Sequence, residues 1–374
     1  MSKLTHAAIT ARKVLKYGAI GFVAYLVLRF LFIGAVNLWK KLHPPPPPPP
    51  TVTFGKLPEL NFPESAATDL SFRLETPTGG LPSFSDRATV YFMSYKKPSL
   101  LAFDRAKQTA KRLGFTGEPA AAIDTETYVW HKELPAVLKL EMNIVTGAFE
   151  IDYAWQNDDL ILVEKNLPGN DQAIQEAKSL LDQTDLLTDD LKKGEVKISY
   201  LKAVAGKMVP AVSLSEANFV KLDFFRKPIE ERVLLKSEVA SLIPPKKIPT
   251  VTPEPQNGVV SFIFSGSIIP QKRIVKLTYN YFPVVYESSG TYPLKDISLA
   301  WEEVKASEAY VVQVKEMAKA ITIRKIHLAY YDTGPQEFLQ PVYVFEGDED
   351  FTAYVHAVDA NWVATQNEKP NTKN

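Results

Sequence analysis

An apolar stretch near the N-terminus constrains this chain more than any other feature. It runs from Tyr17 to Leu38, and twelve of its 22 residues are Leu, Ile, Phe or Val. As a helix it rises about 33 Å, enough to cross a hydrocarbon core of about 30 Å. Those twelve side chains favour insertion by roughly 0.3–0.6 kcal/mol each, against about 2.5–3.5 kcal/mol opposing it from a central Arg29. We therefore predict one membrane-spanning helix over 17–39.

The charges that flank this stretch predict its orientation. Residues 1–16 contain no acidic residue, and their basic residues are Lys3, Arg12, Lys13 and Lys16. Only Lys40 and Lys41 follow the stretch closely. By the positive-inside rule, 1–16 is a cytoplasmic tail and the rest of the chain lies outside the cell membrane. A cleaved signal peptide is the alternative, but no small-residue cleavage site follows promptly and the apolar run resumes after Arg29.

Arg29 has two interpretations. An ionisable residue in the middle of a span is a candidate for pairing with an acidic or polar group on another helix. Alternatively, its side chain reaches towards the cytoplasmic face and draws in water, although that face is about 11 residues, or 16 Å, away. We retain Arg29 as a candidate membrane-helix partner contact.

Proline clusters divide the remaining chain. Pro44–Pro50 is a run of seven prolines, which predicts a polyproline II rod roughly 20 Å long. We predict a proline-rich stalk and extended segment over 40–86, because further prolines exclude regular helix there. A second cluster predicts a proline-rich linker over 244–258, and the polar residues 365–374 predict a disordered tail.

The two segments between these clusters predict an α+β fold, with helices on antiparallel sheets. In the first region, 87–243, strands are predicted at 88–94, 127–131, 137–143 and 148–155, the last two joined as a hairpin through Thr146-Gly147. A helix capped by Ser99 and ended by Gly114 follows the first strand, and Asn170 can cap a second helix. The second region, 259–364, is predicted to have the same kind of structure, with strands before and after a short helix at 295–305. Short connections predict that neighbouring strands pair antiparallel.

Composition excludes several classes of protein. Forty-three basic and 43 acidic residues give no net charge, which argues against nucleic acid as a partner. The absence of cysteine removes thiol nucleophiles, disulfides and zinc fingers, and it suits an extracytoplasmic compartment. The sequence contains no phosphate-binding loop, Rossmann fingerprint, HExxH motif or nucleophile elbow. It therefore predicts neither a cofactor nor catalytic residues.

Residues able to carry chemistry are scattered. His131, His327 and His356 lie in predicted strands, and the last two could become neighbours in one sheet, but a lone strand histidine is usually structural. The acidic run 346–350 could offer oxygen ligands to Ca²⁺, yet it lacks EF-hand spacing and lies between strands, which favours a hairpin turn. Five aromatic residues could line a peptide or glycan groove or simply pack across strands: Tyr330, Tyr331, Phe338, Tyr343 and Phe345.

The C-terminal quarter resembles a known family. The residues that carry the resemblance are Thr291–Leu294, Ala300-Trp301, Leu328–Tyr331, Leu339–Gly347 and Ala353–Val355. They resemble the last domain of the YycH/YycI-type membrane-anchored regulatory proteins, whose outer domains are similar to PepSY-type folds. The segment from Ala106 to Gly114 also resembles a PepSY-like unit. The resemblance implies a non-catalytic protein that biases a membrane partner, in that family a sensor histidine kinase, and it transfers no site residues.

We therefore expect a single-pass, extracytoplasmic interaction or regulatory protein of a bacterial envelope, not an enzyme. Its partners would be the lipid bilayer and a membrane or envelope protein. Two alternatives stay open: a structural component of an envelope assembly, and a hydrolase that uses two facing carboxylates about 5–10 Å apart.

Overall fold

The computed structural model describes residues 3–42, 49–65, 70–94, 99–231, 245–315 and 318–364. Two compact units are distinguished along the chain. One contains the N-terminal helix, and the other, which we call the body, contains the described residues from Pro50 onward. The predicted polyproline rod, apart from Pro49 and Pro50, and the predicted tail 365–374 lie outside the described residues.

The N-terminal helix α1 (Lys3–Leu42) contains the predicted membrane span. Its segment Leu15–Trp39 is 25 residues long, has a mean hydropathy of 2.2 and is not buried. Such a segment rises about 37 Å, so by length and composition it is a candidate to cross a bilayer. The predicted span 17–39 therefore lies within one continuous helix, which also includes most of the predicted tail 1–16.

The body is α+β and consists mostly of sheet. Its α-helices are α2 (Ala102–Arg112), α3 (Asn170–Gln183), α4 (Asp189–Lys192), α5 (Pro270–Arg273) and α6 (Ile297–Lys305). Its first strands are β1 (Leu57–Pro58), β2 (Ser71–Leu74), β3 (Arg87–Met93), β4 (Ala121–Ala122), β5 (Thr127–Glu133), β6 (Val137–Asn143), β7 (Phe149–Tyr153), β8 (Val196–Val204), β9 (Lys207–Ala211), β10 (Phe219–Phe224) and β11 (Ile229–Glu231). The later strands are β12 (Lys246–Ile248), β13 (Thr250–Val251), β14 (Val260–Ser265), β15 (Ile274–Tyr279), β16 (Val284–Pro293), β17 (Tyr310–Gln313), β18 (Ala320–Tyr331), β19 (Phe338–Gly347), β20 (Thr352–His356) and β21 (Val363–Ala364).

One sheet of the body has nine strands in the order β4-β5-β6-β7-β15-β14-β10-β8-β9. All its neighbouring strands run antiparallel. Helices α2 and α3 pack on it through small side chains that let the helix axes approach closely, namely Ala106, Ala110, Ala173 and Ala177, each at most 4% exposed. The helix-on-antiparallel-sheet arrangement predicted from the sequence is present here.

The nine-stranded sheet combines strands from both predicted regions. β15 pairs with β7, and β14 pairs with β10, although the predicted boundary 244–258 separates the members of each pair in the sequence. The described part of that segment carries β12 and β13, which pair with β11 and β18. The boundary 244–258 therefore does not divide the body into two sheets. Strands that are far apart in the sequence can still hydrogen-bond to each other. The proline cluster therefore does not by itself show that the segments before and after it belong to separate sheets.

A second sheet has eight strands, built on the order β13-β18-β19-β20-β17 with β2, β3 and β16 attached. β2 and β13 pair with β18 in parallel, and β1 pairs in parallel with β21. These parallel pairs depart from the antiparallel pairing expected throughout. Their first strands come from the segments predicted as stalk and linker, which reach their partners through long stretches of chain instead of short turns.

A close backbone approach at Gly194 fixes the turn after α4. A Cβ atom at this position would lie 1.8 Å from the carbonyl oxygen of Phe225 and 3.0 Å from that of Asp190. Backbone atoms cannot move aside as a flexible side chain can. We therefore expect Gly194→Ala to lower the free energy of unfolding by about 1–3 kcal/mol, as overpacking does.

Chemical denaturation of the full chain in detergent measures this effect. Gly80→Ala is the matched control, because nothing lies within 4 Å of a Cβ built there. We expect the control to change the free energy of unfolding by no more than about 0.5 kcal/mol. Equal effects of the two substitutions would contradict the close approach at Gly194.

Candidate functional site

Arg29, the one site residue predicted from the sequence, lies near the middle of Leu15–Trp39 with an exposed side chain. Tyr25 and Ile33 lie one helical turn before and after it. Residues four apart on an α-helix share a face, so these three side chains form one stripe of the helix surface. That stripe is where a second helix would contact Arg29.

The histidines do not form a common site. His327 pairs with Val344 and His356 pairs with Val342, two residues of β19. Both histidines therefore lie on the same face of the sheet, with β19 between them. His131 lies on β5 in the other sheet. Within the described residues, no group of three or more His, Asp or Glu residues is placed to hold a metal ion.

The acidic run 346–350 covers the last two residues of β19 and part of the turn that leads to β20. Asp348 accepts a hydrogen bond from the backbone N–H of Thr322 at 2.6 Å, which lowers the pKa of Asp348. Glu349 and Asp350 both adopt left-handed backbone conformations. The aromatic residues considered as a groove are core residues, since Tyr330, Tyr331, Phe338, Tyr343 and Phe345 are at most 8% exposed. Cross-strand packing therefore explains them.

Acidic residues that are adjacent in the sequence have different partners. Asp158 is buried, where it accepts from Tyr153 at 2.6 Å and pairs with Lys272 at 2.7 Å. Glu302 pairs with Lys305, whereas its neighbour Glu303 pairs with Lys295.

The body contains a buried ionic network centred on Arg226, whose side chain is 0% exposed. Its Nη1 donates to Asp190 Oδ2 and its Nε donates to Asp332 Oδ2, both at 2.9 Å. Nη2 donates to the carbonyl oxygen of Phe282 at 2.6 Å, and the guanidinium lies 4.5 Å from the Tyr281 ring centre. One cation thus connects α4, the end of β18 and the segment between β15 and β16.

Opposing effects act on the charge of Arg226. Burial by itself lowers the pKa of the guanidinium, but the carboxylates of Asp332 and Asp190 outweigh it and raise the pKa above its ordinary value. Asp332 Oδ1 is buried and has no hydrogen-bond partner within the described part of the chain. The buried Asp332 carboxylate therefore depends on Arg226.

Residues of this network line two cavities. One, of about 280 Å³, is lined by Asp332 and by outward-facing residues of the nine-stranded sheet such as Ser261. The other, of about 270 Å³, is lined by Tyr281 and Phe282. In the first, Lys221 pairs with Asp223 and Lys276 pairs with Glu150, so its lysines are already neutralised.

A further cavity, of about 320 Å³, lies beside β20, and we call it the His356 cavity. The parallel pairing of β1 with β21 brings the chain after Pro58 next to the C-terminal end of the described body. The His356 cavity is lined by residues from 59–62, 354–356 and 358–364, together with Lys295, Glu303 and Glu308. Three segments remote in sequence, 59–62, 295–308 and 354–364, therefore form one concave surface.

His356 has a defined tautomer in this cavity. The side-chain nitrogen of buried Gln340 donates to the carbonyl oxygen of Pro58 at 2.9 Å, which turns the amide oxygen of Gln340 towards His356. His356 Nε2 lies 3.0 Å from that oxygen. Because an amide oxygen only accepts, Nε2 carries the proton and Nδ1 presents a lone pair. Burial, and then the charge of Lys295, lower the pKa of His356 to about 3, so the ring is neutral.

The carboxylates of the His356 cavity are unequally paired. Lys295 Nζ lies 2.5 Å from Glu303 Oε1, so Glu303 is already paired with a cation. Glu59 and Glu308 are exposed, and within the described residues no basic side chain pairs with either. The cavity therefore carries a negative charge and an imidazole acceptor. It can hold a hydrogen-bond donor of positive charge.

Comparisons of the chain with protein-family models, with curated proteins and with solved structures give no match. The chemistry of the His356 cavity is therefore argued from its own residues and distances.

The main polar residues of the body were not found from the sequence. Arg226 directly follows two consecutive aromatic residues, Phe224 and Phe225, and this position was the one available signal of burial. Gln340 lies in a strand whose other residues are mostly apolar, a similar signal. Their partners are 106 and 16 residues away in the sequence, so no local pattern identifies them.

Proposed function

We propose that the chain is a single-pass, membrane-anchored regulatory protein that works through protein contacts and not through catalysis. The observation that carries this proposal is the exposed apolar segment Leu15–Trp39, which a bilayer would cover. The excess of basic residues before the segment favours a cytoplasmic N-terminus and an extracytoplasmic body.

The partner we propose is another membrane protein. A central Arg opposes insertion by about 2.5–3.5 kcal/mol, and an acidic or polar side chain on a neighbouring helix offsets that cost. The resemblance of the C-terminal quarter to YycH/YycI-type proteins, with their PepSY-like outer domains, supports a sensor histidine kinase as that partner. A stoichiometric envelope complex captured instead would favour the structural alternative.

Site-specific photocrosslinking tests the contact at Arg29. A photoreactive residue at Ile33, about 40° around the helix from Arg29, should capture a membrane protein in intact cells. The same group at Leu31, about 160° away, should capture little of it. Arg29→Leu should abolish the adduct at Ile33, because the span remains apolar while the charge that attracts the partner is gone.

A topology control accompanies this experiment. The chain has no cysteine, so Ser215→Cys on an exposed turn gives a single thiol. An impermeant maleimide should label it in intact cells. Equal adducts from Ile33 and Leu31, or adducts unchanged in Arg29→Leu, would exclude the helix from partner binding; an unlabelled thiol would contradict the extracytoplasmic body.

A further inference from the structure

The polar groups that the His356 cavity presents to a ligand are mainly hydrogen-bond acceptors. The donor at His356 Nε2 is already used by Gln340, whereas Nδ1 has no hydrogen-bond partner within the described residues. Glu59 and Glu308 add carboxylates without a paired cation in that part of the chain, while the charge of Lys295 is matched by Glu303. A ligand that satisfies these groups must therefore bring its own donors and positive charge.

The spacing of these acceptors excludes a bare metal ion among the described residues. They line one cavity, yet no three of the His, Asp and Glu residues in the described chain come close enough to coordinate an ion together. Acceptors spread around a cavity of about 320 Å³ fit a molecule with separated cationic groups. That volume is at the small end of ligand pockets, so the molecule must be small.

The rest of the lining is apolar. Leu60 and Phe62 line the same cavity, and the Phe62 ring is held by stacking on Tyr310, with ring centres 5.3 Å apart. Methylene groups would be removed from water against these side chains, while terminal ammonium groups meet the acceptors.

We propose that the His356 cavity binds a small alkyl diamine in its doubly protonated form, with the methylene chain on the apolar wall and the ammonium groups on the carboxylates and His356 Nδ1. The binding step forms and breaks no covalent bond. The proposal does not depend on the membrane partner, since it concerns the body alone.

Isothermal titration calorimetry of the full chain in detergent tests the proposal with 1,4-diaminobutane and 1,5-diaminopentane as probes. We expect saturable binding of at least one diamine and none of 1,4-butanediol, which has a similar shape without charge. The double variant Glu59→Gln/Glu308→Gln should weaken diamine binding at least tenfold.

Two further variants separate the cavity from general attraction to an acidic surface. Glu302→Gln/Glu349→Gln changes the net charge equally, but these glutamates pair with Lys305 and Lys315 and do not line the cavity, so affinity should be unchanged. Ala360→Trp places a bulky side chain at an exposed position of the cavity wall and should abolish binding while the melting temperature is kept.

Three results would overturn the proposal. The first is that neither diamine binds saturably to the unmodified chain. The second is that butanediol binds as well as the diamines. The third is that both double variants weaken binding equally, which would show that the diamine is attracted by net charge and not by this cavity. None of these results bears on the crosslinking at Ile33, so failure here is distinguishable from failure of the proposed function.

Discussion

Arg226→Met should lower the free energy of unfolding by about 3–5 kcal/mol, the range observed when one member of a buried ion pair is removed. The methionine fills a similar volume but leaves Asp332 and Asp190 buried without their cation. Asp332 is the more affected, because its side chain is 0% exposed and its Oδ1 has no other partner within the described residues. Urea denaturation followed by the fluorescence of buried Trp130 and Trp155 measures the change.

Arg324→Met provides the matched control at the surface. Arg324 pairs with Glu75 and Asp348, but its side chain is 54% exposed, so water replaces the lost contacts. We expect the control to cost less than about 1 kcal/mol. Adding Asp332→Asn to Arg226→Met should recover part of the lost stability, because the amide removes the unpaired charge. Equal losses in Arg226→Met and Arg324→Met would refute the network.

His356 should make the body sensitive to acid. Its pKa is 6.5 in the unfolded chain and about 3 in the folded body, because burial disfavours the imidazolium and Lys295 repels it. As pH falls below 6.5, the unfolded chain takes up the proton and the folded body does not. The full stability is present above pH 6.5 and is lost between that value and about pH 3, at about 1.4 kcal/mol per pH unit.

His356→Gln should remove this contribution. Glutamine keeps a donor for the Gln340 amide oxygen but does not titrate. Relative to its own value at pH 7.5, the free energy of unfolding of the unmodified chain at pH 4 should fall by roughly 3 kcal/mol more than that of the variant. Denaturation at a series of pH values gives both curves. Parallel curves from pH 7.5 to pH 4 would mean that His356 is protonated in the folded body.

Local patterns in the sequence predicted most single elements of the body. The strand predicted at 137–143 is β6 with the same bounds, and the helix predicted to be capped by Asn170 is α3, although its N-cap is Gly169 and Asn170 is its first residue. The hairpin through Thr146-Gly147 joins β6 to β7, with Gly147 at a φ of 78°. These elements were predictable because alternation, capping and turn residues act over a few positions.

The sequence did not predict which strands pair with one another. β7 lies beside β15 more than 120 residues later, and β2 extends β18 in parallel from a segment predicted to be extended stalk. Many apolar strands could satisfy the same local pattern, and the choice among them depends on which faces pack together in the complete body. The partner of Arg226 and the neighbours of His356 follow from that choice, so neither could be predicted from the sequence.

The sequence by itself determined the long apolar helix and its single charge, because membrane-spanning length and hydropathy are properties of consecutive residues. It also determined the α+β class of the body. Only the tertiary structure decided that strands from both predicted regions share one sheet, that Arg226 is buried between Asp190 and Asp332, and that His356 faces a cavity. Burial and charge pairing join residues far apart in the chain, and the energies that select them exist only once the body is folded.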